Sequence, residues 1–116
     1  MPRGILVLTA IIAAGVLAGS AGAMSPTLTG TVGPGFSISL TQGGKKVTSL
    51  KAGTYKIVVS DKASIHDFHL TGPGVNKATT VSGTGTQKWT VKLKKGSYRY
   101  MCDPHASSMN GSFTVK

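Results

Sequence analysis

From Phe36 to the end of the chain, apolar and polar residues alternate in short runs. Phe36-Ser37-Ile38-Ser39-Leu40, Tyr55-Lys56-Ile57-Val58-Val59, Trp89-Thr90-Val91-Lys92-Leu93 and Ser112-Phe113-Thr114-Val115 have the period of two, or the compact β-branched and aromatic runs, that bury one face of a strand. Gly33-Pro34-Gly35, Gly43-Gly44, Gly72-Pro73-Gly74 and Gly83-Thr84-Gly85 punctuate these runs as turns. About seven strands at this spacing predict an all-β fold of one domain, an antiparallel sandwich or barrel, with Trp89 in its core. No helical periodicity is sustained beyond the first residues. Residues 24 to 31 are small and polar and are expected to fray in part.

Two segments echo each other. Leu50-Lys51-Ala52-Gly53-Thr54-Tyr55-Lys56 and Leu93-Lys94-Lys95-Gly96-Ser97-Tyr98-Arg99 each read as a strand end, a glycine turn and a new strand that opens with a tyrosine. Reuse of one good turn within a sandwich explains this more economically than duplication.

The N-terminus has a different character. Arg3 supplies a positive start, Ile5 to Ala18 is apolar, and Ala21-Gly22-Ala23 offers the small residues that a signal peptidase reads. A spanning anchor needs roughly 20 apolar residues, more than this run contains. Residues 1–23 are therefore expected to be a secretory signal cleaved after Ala23, leaving residues 24–116 as one exported domain, periplasmic or extracellular and associated with the cell envelope. No membrane insertion is expected after cleavage.

The whole chain has 13 Lys and Arg against 3 acidic residues, a formal charge of +10. Such an excess attracts anionic partners in a salt-dependent way. With few aromatics and no basic helix, nucleic-acid binding is not expected. The dispersed lysines read first as a solvated face on a monomer.

Cys102 is the single cysteine, so no intramolecular disulfide can form, and a lone thiol in an exported chain calls for another explanation. His105 and Met109 follow it closely. Thiolate, imidazole and thioether are the ligands that a soft, redox-active copper ion accepts together. A further imidazole could come from Ser64-Ile65-His66-Asp67-Phe68-His69-Leu70. Strand alternation there puts His66 on the side of Phe68 and Leu70 and turns His69 outward.

The strand pattern and the stretch Tyr98 to Val115 resemble the cupredoxin family, particularly its small plastocyanin-like and pseudoazurin-like blue copper proteins. The resemblance implies a Greek-key antiparallel β-sandwich and one copper ion, with His66, Cys102 and His105 in a trigonal plane and Met109 as a long axial ligand. It also implies single-electron transfer between redox partners, with His105 as the exposed edge. Pro104, Ala106, Gly33-Pro34-Gly35 and Gly72-Pro73-Gly74 would form a docking patch, and the lysines would steer a partner with an acidic surface. The alternative is a copper-binding module for delivery, storage or sensing. An enzyme is not expected, because a filled ligand shell leaves no position for substrate. Two departures stand out. The spacing from His105 to Met109 is one residue shorter than in many members, and Asp67 and Asp103 stand where the family often ties the strand to the loop through an asparagine. The two carboxylates are expected to splay apart into solvent, and Met101 to point away from the metal.

Overall fold

The computed structural model describes residues 24–116, so the expected signal, residues 1–23, lies outside the described residues. The described residues form ten strands: β1 Thr27–Val32, β2 Ile38–Gln42, β3 Lys45–Lys46, β4 Ser49–Leu50, β5 Gly53–Asp61, β6 His69–Gly72, β7 Val75–Ala78, β8 Gly85–Leu93, β9 Gly96–Met101 and β10 Asn110–Val115. They make two five-stranded sheets, ordered β3-β2-β1-β5-β8 and β4-β10-β9-β6-β7. The inward positions of β5 (Tyr55, Ile57, Val59), β8 (Trp89, Val91, Leu93), β9 (Tyr98, Tyr100) and β10 (Phe113, Val115) are all buried, and they meet in one core. Phe68 stacks on Tyr100 at 5.5 Å and Tyr98 on Phe113 at 5.2 Å between ring centroids. Such pairs add about 0.5–1.5 kcal/mol each beyond the area they bury.

Three expectations need correction. The sandwich is not purely antiparallel, because β1 runs parallel to β5 and β4 parallel to β10. Those pairs join strands that no hairpin connects, so turn residues carry no signal of them. Residues 24 to 31 do not fray as a unit: β1 lies between β2 and β5, with Leu28, Gly30 and Val32 buried. Its outward threonines and its inward glycine hide the alternation that would reveal a strand. His66, finally, lies in an irregular segment just before β6 rather than within a strand.

The echoed segments fold alike. In each, a glycine of positive φ (Gly53 at 156°, Gly96 at 145°) starts the new strand. The tyrosine hydroxyl then reaches back to the carbonyl four residues upstream, Tyr55 to Lys51 at 2.7 Å and Tyr98 to Lys94 at 2.9 Å. Both are tyrosine corners, a device of sandwich folds that pins a crossing between strands. They lie at one end of the sheets, where Gly53 pairs with Leu93 and Val115 with Gly96. At the opposite end, Val32 pairs with Asp61 and Met101 with both His69 and Asn110. The chemistry collects at this second end.

Candidate metal centre

The loop that joins β9 to β10 is closed on itself. The Cys102 N–H donates to the Met109 carbonyl at 3.0 Å, the His105 N–H to the Cys102 carbonyl at 3.0 Å, and the Met109 N–H to the His105 carbonyl at 2.8 Å. Asp103-Pro104-His105 forms a single 3-10 turn, which suits Pro104 because an early helical position needs no donor. Alternation along β9 buries Tyr98, Tyr100 and Cys102 and leaves Met101 half-buried on the other face.

His66 comes from the other side of the core. The Asp61 carboxylate accepts the Ala63 N–H at 3.2 Å and turns the chain after β5. Phe68 exchanges two hydrogen bonds with Thr79, its N–H to the hydroxyl at 2.9 Å and its carbonyl from the Thr79 N–H at 3.1 Å. Gly33, at φ +76°, approaches so closely that a Cβ there would sit 3.2 Å from His66 Cδ2. Only glycine suits both the backbone and the space. His66 is left fully buried, with its Nε2 unpartnered.

These elements bring three donor atoms together. His66 Nδ1 lies 3.3 Å from His105 Nδ1 and 3.7 Å from Cys102 Sγ, and His105 Nδ1 lies 3.5 Å from the sulfur. The point equidistant from all three is about 2 Å from each, the length of a bond from a first-row metal to imidazole nitrogen. Two imidazole nitrogens aimed at each other and at a thiol gain little as hydrogen bonds, whereas they suit one soft metal ion. The donor set therefore fits copper. Met109 is also fully buried, and its backbone is bonded to that of Cys102 and His105. Without metal, burial pushes the Cys102 thiol above its ordinary range, so a metal must displace its proton.

The carboxylates differ from expectation. Asp67 is buried, and its Oδ1 accepts the Asp103 N–H at 2.6 Å, tying the His66 segment directly to the ligand loop. Burial, and then the neighbouring Asp103 carboxylate, raise the Asp67 pKa to about 6. Asp103 is exposed and is held below the usual carboxylate range, first by its hydrogen bond with Asp67. The two do not splay into solvent, because the loop's own backbone N–H supplies Asp67 with a partner worth keeping inside. His69 stands outside the three-donor cluster, with Nδ1 3.0 Å from Asp103 and Nε2 2.6 Å from Asn76 Oδ1. Those two acceptors raise the His69 pKa.

The surroundings differ as well. Phe36, read as opening a strand, is instead 64% exposed, with its ring edge-on to His66 at 5.1 Å and to His105 at 4.8 Å. Its one sequence signal is its place after Gly33-Pro34-Gly35, a turn closed by the Gly33 N–H to Ser37 carbonyl bond at 3.0 Å. Ile65, beside His66, is 49% exposed. Gly33-Pro34-Gly35 does adjoin the site, but Gly72-Pro73-Gly74 does not. It turns at the opposite end, where Pro73 receives the Tyr98 hydroxyl and packs by Gly96. No described helix is long and apolar enough to cross a membrane.

A family model for copper binding proteins of the plastocyanin/azurin family matches residues 36–116. No curated protein sequence matches significantly. Among solved structures the chain is similar to rusticyanins. A methionine-to-glutamine variant of rusticyanin superposes with a TM-score of 0.58 at 25% identity, over 78% of this chain and 76% of that one. Rusticyanin from Thiobacillus ferrooxidans gives 0.54 at 26% identity, again over 78% and 76%. A reduced rusticyanin at 24% identity, with a TM-score of 0.56 over 78% of both chains, supports the fold alone.

Proposed function

The chain belongs to the plastocyanin/azurin family of copper-binding proteins, and from that premise we propose that it is an exported mononuclear type 1 copper protein that carries single electrons between redox partners. His66, Cys102 and His105 would hold the ion, and Met109 would add its thioether as a fourth ligand. The convergence of His66 Nδ1, His105 Nδ1 and Cys102 Sγ carries this reading. Copper supplies a one-electron couple when bound. The protein keeps the donors in one arrangement through both oxidation states, so that little needs to move.

Each surrounding residue has a part in this. Burial of His66, Cys102 and Met109 keeps water from the ligands. His105, half-exposed, is the edge through which an electron enters and leaves. Phe36, Ile65, Pro34 and Pro104 give that edge an apolar rim, suited to the small, short-lived interface of a redox encounter. The chain's net positive charge draws an acidic partner from a distance, while contact itself is apolar. Delivery or storage would require donors that exchange readily, and the three buried ligands argue against that alternative.

Addition of cupric ion to the metal-free protein is the test. An intense visible thiolate-to-copper band is expected, lost in Cys102→Ser and His66→Ala and kept in His69→Ala. A colourless complex, or a band that survives Cys102→Ser, would overturn the assignment. Rapid loss of copper to a chelator would favour the delivery alternative.

A further inference from the structure

All three acidic residues of the chain adjoin the metal end. Asp61 closes β5 there, Asp67 follows His66 and Asp103 follows Cys102. The opposite end is built from lysine. Lys51 and the pair Lys94-Lys95 occupy the two tyrosine corners, and Lys92 pairs with Thr54 one step above them. Lys56 stands on β5 within its first turn-proximal residues, and every one of these lysines is exposed. A charge arranged only for solubility would be spread among the acids. Here Lys62 and Arg99 stand near the acids, while Lys51, Lys92, Lys94 and Lys95 gather at the other end with no acid among them.

We propose that the lysine-rich end is a docking surface for an anionic phospholipid bilayer, and that it holds the protein with its metal end facing away from the lipid. Two observations favour a bilayer over an acidic redox protein at this place. First, the six residues of β9 separate the corners from Cys102, roughly 20 Å at the rise of a strand, so a redox partner docked here would be held far from His105. Second, the described chain enters at this end. The Pro26 carbonyl accepts the Lys56 N–H at 2.9 Å, and Thr27 pairs with Lys56, so the N-terminal ammonium expected at Met24 after cleavage adds its charge on the basic side. A flat anionic surface engages Lys51, Lys94 and Lys95 together, whereas their attraction fades within a Debye length of about 8 Å at physiological salt.

The surface is independent of which metal is bound, and its failure would leave the copper reading untouched. The full chain is mixed with vesicles of phosphatidylcholine, and with vesicles in which half of the lipid is phosphatidylglycerol, and the bound fraction is read by flotation. Binding to the anionic vesicles should exceed binding to the neutral ones, and the excess should fall as salt is raised. The triple variant Lys51→Gln, Lys94→Gln, Lys95→Gln should weaken that excess about a hundredfold. Lys62→Gln, Lys88→Gln, Arg99→Gln removes the same charge elsewhere and should leave most of it. Residues 1–23 are common to the parent and both variants, so the comparison between the variants cancels their contribution. Circular dichroism verifies that both variants fold. The absence of an anionic excess, or an equal loss in the two triple variants, would overturn the proposal.

Discussion

Asp67 shows how one side chain can serve the scaffold and burden it at once. Its carboxyl accepts the loop's Asp103 N–H, yet its pKa of about 6 means that the folded protein binds this proton more tightly than the unfolded chain does. By linkage, the metal-free protein should lose stability as pH rises from about 4 to about 6. His69 acts in the same sense at higher pH, since its raised pKa gives stability that is present below 6.5 and lost as it deprotonates. Asp67→Asn keeps a carbonyl for the Asp103 N–H and removes the titrating group. Urea unfolding of the metal-free variant should therefore be flatter between about pH 4 and 6 than that of the parent. Cys102, His105 and Met109 were legible as a chemical group because their side-chain types name the metal without help from the fold. The pairing of Asp67 with Asp103 was legible only as proximity. Its burial was not, because it depends on a backbone N–H that the loop presents only when folded.

Among the elements, the corners were the best-read part of the chain, since a turn written twice in sequence is built twice in structure. They are not equal. The Tyr98 hydroxyl accepts the Lys94 N–H at 2.8 Å and faces the carbonyls of Lys94 and Pro73, whereas the Tyr55 hydroxyl is bonded to Lys51 alone. Tyr98→Phe should cost about 1–3 kcal/mol because it strands several partners, and Tyr55→Phe about 1 kcal/mol, as chemical denaturation of each variant can measure. Strand β1 was the least legible element. Sequence periodicity reports a strand through its buried side chains, and β1 presents a glycine at one of its three inward positions. The parallel pairs were equally silent, because nothing local distinguishes which distant strand will lie alongside.

At the scale of the whole molecule, composition gave the sign of the charge but not its direction, which required knowing which turns share an end. The same scale governs the metal's effect on stability. Copper binds only the folded arrangement, so saturation at a hundredfold excess over its dissociation constant should add about 2.7 kcal/mol. In a domain of this size that raises the melting temperature by on the order of 10 °C, and chelation in calorimetry should reverse it. The β9–β10 loop carries a last consequence. Its internal hydrogen bonds close just beyond the Met101–Asn110 pair, so the sheets end where the loop begins. Such a loop is an interchangeable part: no ladder pair lies between Cys102 and Met109, so a change in loop length is expected to leave the register of the sheets beneath unchanged. The scaffold and the tuning of the metal are thus free to evolve, or to be engineered, on separate tracks.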